Sequence, residues 1–215
     1  AGESRTTTFG GYDSSATGDP LTITDGRQQT TELTWRWRGI PWTIKDPLGN
    51  TTTFDHDGMG NLRQEIRPTT DVPSEEPTIY YDIRGRVRFV VNPGGTVDET
   101  AGSCTNCTAF AYDGGGRLIS RTDPLGHRVS YEYDPYGRLE YLKEWLSASS
   151  ANVTQYGYDL MSNLTLVRDA RMKETRFDYD DFNRVQTVHY AGDTPADIRD
   201  ETFTYHGTGR LKTHT

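Results

Sequence analysis

The stretch Asp123–Leu139, DPLGHRVSYEYDPYGRL, carries one turn signal twice: Asp-Pro-Leu-Gly at 123–126 and Asp-Pro-Tyr-Gly at 134–137. Asp first, Pro second and Gly fourth are the preferences of a type I turn, which often closes a hairpin through a glycine bulge. Between the turns Val129, Tyr131 and Tyr133 alternate with Arg128, Ser130 and Glu132. That alternation predicts a half-buried strand, apolar side chains on one face and polar ones on the other.

The same unit recurs along the chain. Clear copies are YEYDPYGRL at 131–139, FAYDGGGRL at 110–118, IYYDIRGRV at 79–87, YGYDLMSNL at 156–164 and FDYDDFNRV at 177–185. FDHDGMGNL at 54–62 and FTYHGTGRL at 203–211 each replace a signature residue, and LTWRWRGIP at 33–41 is a degenerate copy with Trp35 in the tyrosine place. The aromatic position falls at Trp35, His56, Tyr81, Tyr112, Tyr133, Tyr158, Tyr179 and Tyr205, with a base step of 21 residues. In the seven clearer units an aliphatic residue follows it by six positions (Leu62, Val87, Leu118, Leu139, Leu164, Val185, Leu211). A second turn begins eleven positions after the aromatic, at Asp46, Asn92, Asp123 and, as a relic, Asp169-Ala170. All length variation enters there, as insertions at about 68–78, 93–107, 145–153 and 191–200.

Such periodicity predicts an all-β, repeat-built antiparallel sheet of hairpins, with short uniform turns on one edge and the insertions on the other. Cross-strand aromatic and β-branched pairs stabilise such a sheet by roughly 0.2–1 kcal/mol each. Residues 1–32 are read as a degenerate N-terminal half-repeat around Tyr12–Asp13. Residues 33–215 are read as about eight units in one continuous sheet, a fragment of a larger protein. A propeller of four-stranded blades is the alternative architecture, disfavoured by the uneven insertions.

Composition fits a thin, tyrosine-lined core. Hydrophobic residues are 33% of the 215, yet aromatics reach 11%, with 13 Tyr and 4 Trp, and charges of both signs are dispersed. Disorder is thereby disfavoured. A net charge of -8 argues against phosphate backbones as partners. No run approaches the ~18 apolar residues of a membrane span, and no signal-peptide pattern opens the sequence.

The signature residues are Tyr81, Asp82, Gly85 and Arg86; Tyr112, Asp113, Gly116 and Arg117; Tyr133, Asp134, Gly137 and Arg138; Tyr158 and Asp159; Tyr179, Asp180 and Arg184; and Tyr205, Gly209 and Arg210. The aspartates could pass for a carboxylate array, but each comes with its turn glycine or a substitute, so the expectation is a structural Asx turn. The arginines recur at one strand position and are expected to pair with neighbouring acids. Cys104-Thr-Asn-Cys107 lies in the longest insertion and reads as free thiols, a loop disulfide, half a metal site or a redox motif. The five histidines are scattered, and no nucleophile elbow, phosphate loop or zinc-protease motif is present. The expectation is a non-enzyme without metal or cofactor.

The pattern Tyr-Asp-x-x-Gly-Arg-Leu, then Asp-Pro-x-Gly, then Tyr-x-Tyr-Asp resembles the YD repeat of Rhs proteins, of the related subunits of insecticidal toxin complexes and of teneurins. It covers about residues 33–215; His56, Ser162, Asn183 and His206 depart from it. The resemblance implies a segment of a spiralling β-shell in a secreted or surface-displayed bacterial toxin protein. Its partners would then be the rest of the shell and an enclosed toxic C-terminal domain. The family's shell-closing core with its self-cleaving aspartate motif is not recognisable here. The alternative is a carbohydrate-binding repeat module, with Trp35, Trp37, Trp42 and Tyr190 as stacking platforms for glycans. A glycan-active enzyme would need two carboxylates about 5–9.5 Å apart across a cleft, which one row of turn aspartates does not suggest. Self-association through unpaired strands at the ends is a further expectation.

Overall fold

The structure, a computed structural model, describes residues 7–12, 18–36, 39–68, 76–191 and 199–215. Asp13, Trp37 and most of the expected loops at 68–78 and 191–200 lie outside the described residues. The chain forms two compact units, residues 1–109 and 110–215. Both are built from antiparallel strands, and no α-helix occurs among the described residues. In particular, none is long and apolar enough to cross a membrane.

In the first unit, β1 (Thr8–Tyr12), β2 (Pro20–Thr24), β3 (Thr30–Arg36), β4 (Ile40–Lys45), β5 (Thr51–His56) and β6 (Leu62–Ile66) form a six-stranded sheet in chain order. The N-terminal strands are thus continuous with the units at 33–41 and 54–62. There follow β7 (Thr78–Tyr81), β8 (Val87–Val91), the short pair β9 (Val97–Asp98) and β10 (Ser103–Cys104), and β11 (Cys107–Tyr112), whose first residues pair with β8. β7 pairs with β8 in a separate sheet, so the single continuous sheet expected from the repeats is divided between β6 and β7. The second unit continues with β12 (Leu118–Thr122), β13 (Arg128–Tyr133), β14 (Leu139–Ser147), β15 (Ser150–Tyr158), β16 (Leu164–Arg168), β17 (Glu174–Tyr179), β18 (Val185–Tyr190), β19 (Arg199–Tyr205) and β20 (Leu211–His214). Each is hydrogen-bonded to the next in chain order.

Successive hairpins place alternate turns on opposite edges. The Tyr-Asp turns lie on one edge of each unit and the Asp46, Asn92, Asp123 and Asp169 turns on the other. The described insertions follow this rule. That after Val91 starts as an ordinary turn, with Gly95 N–H donating to Asn92 O at 3.0 Å, makes the β9–β10 excursion, and closes with Asn92 N–H on Asn106 O at 2.9 Å. The other is an extension of β14 and β15 to nine residues each.

A single layer of sheet buries little. In the first unit Phe89 and Val91 are each 4% exposed and pack with Cys107, while Tyr80, Val97, Cys104 and Ala109 close around them. Cys104 and Cys107 form a disulfide, which selects the loop-disulfide reading. It fastens the excursion to the only cluster of buried apolar side chains found among the described residues.

In the second unit the predicted polar face of β13 needs correcting at Ser130. Its side chain is buried rather than solvated, because Trp145 lies across it and donates Nε1–H to Ser130 Oγ at 2.8 Å. Arg128 stacks on the same indole and Lys143 pairs with Glu132, so this face is roofed by long side chains.

Candidate functional site: the repeat signature

Each Tyr-Asp turn is closed by the same bonds. In 134–137, Gly137 N–H donates to Asp134 O at 2.9 Å and Asp134 N–H donates to Arg138 O at 2.9 Å. Asp134 Oδ1 accepts from the Tyr136 and Arg138 amides at 2.9 Å, and Oδ2 accepts from Arg138 Nε at 2.7 Å. Asp82 with Arg86 and Asp180 with Arg184 repeat the whole set, and Asp113 with Arg117 repeats the bonds to the arginine. At Asp57 and Asp159 an asparagine, Asn61 or Asn163, makes the side-chain bond instead.

The fourth residue must be left-handed: φ is 74° at Gly85, 91° at Gly116 and 85° at Gly137. Ser162 and Asn183 hold the same conformation at 69° and 58° in a glycine's place, at a cost in steric strain. The 206–209 turn keeps Gly209 at 86°, but His206 provides no carboxylate for Arg210.

These bonds hold the turn carboxylates below their ordinary value of 3.8. At Asp82 and Asp180 the arginine side-chain bond is the main cause. At Asp113 it is the Arg117 amide. At Asp134 burial, the largest influence, pushes upward and is outweighed by the Arg138 amide and guanidinium together. A carboxylate so committed is a cap, poorly suited to acid–base chemistry.

Two features were not legible in the sequence. In the hairpins of β13 with β14 and of β17 with β18 the register shifts by one residue beside the aromatic, between Glu132 and Tyr133 and between Asp178 and Tyr179. The shift also occurs beside Trp35, His56, Tyr81, Tyr158 and Tyr205. The pairings of β4 with β5, β12 with β13 and β16 with β17 have none. A bulge bends and twists a strand locally and re-aims its side chains.

The second feature is where the tyrosine hydroxyl goes. Tyr133 Oη–H donates to Leu118 O at 2.8 Å, Tyr158 to Leu139 O at 3.0 Å, Tyr179 to Leu164 O at 2.8 Å and Tyr205 to Val185 O at 2.7 Å. Tyr81 reaches Leu62 O at 2.6 Å, and Trp35 Nε1–H plays the part on Pro20 O at 2.8 Å. Every acceptor in the tyrosine series is the aliphatic residue opening the preceding unit's return strand. The conserved step of six therefore has a geometric meaning: it positions each unit's acceptor for the next unit's tyrosine. Burial pushes the phenols of Tyr81, Tyr133, Tyr158 and Tyr179 above their ordinary value, so these four remain donors.

The arginines complete the link. Arg117, Arg138 and Arg184 stack on the next unit's Tyr133, Tyr158 and Tyr205, at 4.8, 4.7 and 4.4 Å from the ring centroid. Arg138 also donates to Asp159 O at 2.8 Å and Ser162 Oγ at 3.2 Å in the next Tyr-Asp turn. Asn163 does likewise to Asn183 Oδ1 at 3.1 Å. One guanidinium thus neutralises its own turn, covers a neighbouring ring and bonds a neighbouring turn.

Three of the residues expected as sugar platforms have partners within the fold. Trp35 spends its N–H on Pro20, Trp42 lies beneath Arg36 at 5.2 Å, Tyr190 donates to Glu201 at 3.4 Å, and Trp37 is outside the described residues. Among the described residues no three His, Cys, Asp or Glu side chains are grouped to hold a metal. One histidine stands out. His189 on β18 is bridged by Asp178 of β17 and Asp200 of β19, both at 2.9 Å, and these two bonds hold its pKa above 6.5.

A ribbon of hairpins stapled unit to unit by tyrosine and arginine is the architecture of a repeat sheet. Residues 112–144 match the RHS Repeat family model. The chain is 31% identical over 121 residues to double-stranded DNA deaminase toxin A of Burkholderia cenocepacia; the match covers 56% of this chain and 8% of that protein. In structure it is similar to a chain of the Tc holotoxin pore of Photorhabdus luminescens, with TM-score 0.51 and 15% identity, over 92% of this chain and 12% of that one. The shared feature is the fold. The chain therefore spans about a tenth of the length of these relatives.

Proposed function

We propose that this chain is a structural segment of the shell of a secreted or surface-displayed bacterial toxin-type protein, in which the repeats enclose a toxic C-terminal domain. The observation that carries this is the tyrosine-to-preceding-carbonyl staple, which recurs unit after unit and fastens each hairpin pair to the one before. A device of this kind lengthens a sheet indefinitely without altering its local geometry, as a wall requires. The RHS repeat and the likeness to a Tc holotoxin chain support the toxin setting. In this reading the signature residues are wall fittings and the segment has no turnover of its own. The test is electron cryo-microscopy and limited proteolysis of the full-length parent protein. A hollow particle that shields its C-terminal domain from protease is expected. An open, solvent-filled array with the C-terminal domain cleaved at the rate of a free domain would overturn the reading.

A further inference from the structure

The strand β8 bulge carries a cation that the repeat machinery does not use. Arg88 stacks over Phe89 with Cζ 4.9 Å from the ring centroid. Its other side is bounded by Gly102 of the β9–β10 excursion: a Cβ on that residue, at φ +66°, would come within 2.5 Å of Arg88 Nη2. The guanidinium is thus confined, yet among the described residues it donates to no carboxylate, carbonyl or hydroxyl. Asp82, a turn acid that lines the same cavity as Arg88, is committed to Arg86 at 2.6 Å. Arg63 repeats the situation on the neighbouring ring: it lies 4.4 Å from the centroid of Tyr80, the cross-strand partner of Phe89, and its Nε is buried without a hydrogen-bond partner.

Arg88 opens into a cavity of about 420 Å³ lined by Tyr80, Tyr81, Asp82, Ile83 and Phe89, with Glu99 of the excursion also on its wall. That volume suits a small ligand. A planar guanidinium without an acceptor leaves charge-assisted bonds unmade, and its fork matches a carboxylate. We propose that this cavity binds a small carboxylate with a flat apolar body, the carboxylate on Arg88 and the body against Tyr80, Tyr81 and Phe89. The disulfide holds the excursion that supplies its far wall. Glu99 opposes an anion there and tunes affinity downward. The site is independent of the shell reading.

Calorimetric titration of the 215-residue chain with benzoate tests this. Saturable binding with Kd of about 1 mM is expected, weakened at least about tenfold by Arg88→Gln, less by Arg88→Lys, and strengthened by Glu99→Gln. Acetate, lacking the apolar body, and inorganic phosphate should bind more weakly. In the unaltered chain the Arg88 Nε–H NMR resonance should move on benzoate addition. Failure to saturate, an Arg88 resonance that does not move, or acetate or phosphate equalling benzoate would overturn the proposal. So would weaker binding in Glu99→Gln, or a folded Arg88→Gln chain that binds unchanged.

Discussion

The two edges of the repeat sheet use the same turn and differ in everything attached to it. On the insertion edge, the turns at Asp46, Asp123 and Asp169 have the same amide bonds to Oδ1 as Asp134, but among the described residues the side chains of Asn50 and His127 bond only their own turn aspartate. On the Tyr-Asp edge a bulge, a tyrosine staple and an arginine or asparagine link each unit to its neighbour. Turn chemistry therefore makes a hairpin, and the side chains beyond it make a repeat. An edge whose turns are less committed to their neighbours tolerates added residues, which fits the position of the insertions.

The largest expected effect comes from removing a staple. Tyr158→Ala loses a half-buried ring, its bond to Leu139 and the platform for Arg138. A loss of about 3 kcal/mol is expected, and thermal melting should fall by roughly 6–10 °C. An unchanged melt would mean that the Tyr-Asp edge does not hold units together.

Arg138→Ala against His127→Ala compares the edges directly. The arginine should cost about 1–2 kcal/mol, since it bonds two turns and a ring, and the exposed histidine under about 0.5 kcal/mol. Equal losses in urea unfolding would erase the distinction. Tyr158→Phe isolates the hydroxyl and should cost about 1 kcal/mol, with protection from hydrogen exchange falling where β14, β15 and β16 meet. Doubling the loop between β14 and β15 should cost only about 0.6 kcal/mol, whereas the same residues placed inside 134–137 should destabilise at least as much as Arg138→Ala.

The smallest effects are those of pH, and they run in opposite directions. The turn aspartates lie below 3.8, so their contribution is intact above that value and is lost as pH falls through their lowered values. Acid should loosen both edges, more so the one with arginine partners. His189 lies above 6.5, so its bridge is intact below 6.5 and is lost as pH rises through the raised value. Alkaline titration should lower amide protection factors in β17–β19 and leave those of β12–β14 unaffected. His189→Gln should abolish that dependence.

Much of this was legible because turns and strands are local. Asp-x-x-Gly needs only its own four residues, so Asp134–Gly137 announces itself, and alternation in Val129, Tyr131 and Tyr133 names a strand. The N-terminal turn at Asp25–Gln28 was less legible. It has the same Asp25 amide bonds, but Gln28 takes the left-handed place at φ 62°, and no propensity rule nominates glutamine for it. Ser130 misled because alternation assigns a face without saying what crosses it, and Trp145 is fifteen residues away.

The sequence by itself determined the hairpin unit, its period, the edge that carries insertions and the role of the aspartates, because each follows from torsions and bonds within a few residues. Only the tertiary structure decided where the tyrosine hydroxyls and arginine guanidiniums go, that Cys104 and Cys107 close on each other, and that Arg88 meets no acceptor among the described residues. Those outcomes depend on the bulges beside the aromatics and on which side chains the neighbouring unit brings within reach. Residues 15 to 20 positions apart meet there through sheet pairing, a relation that no local rule encodes.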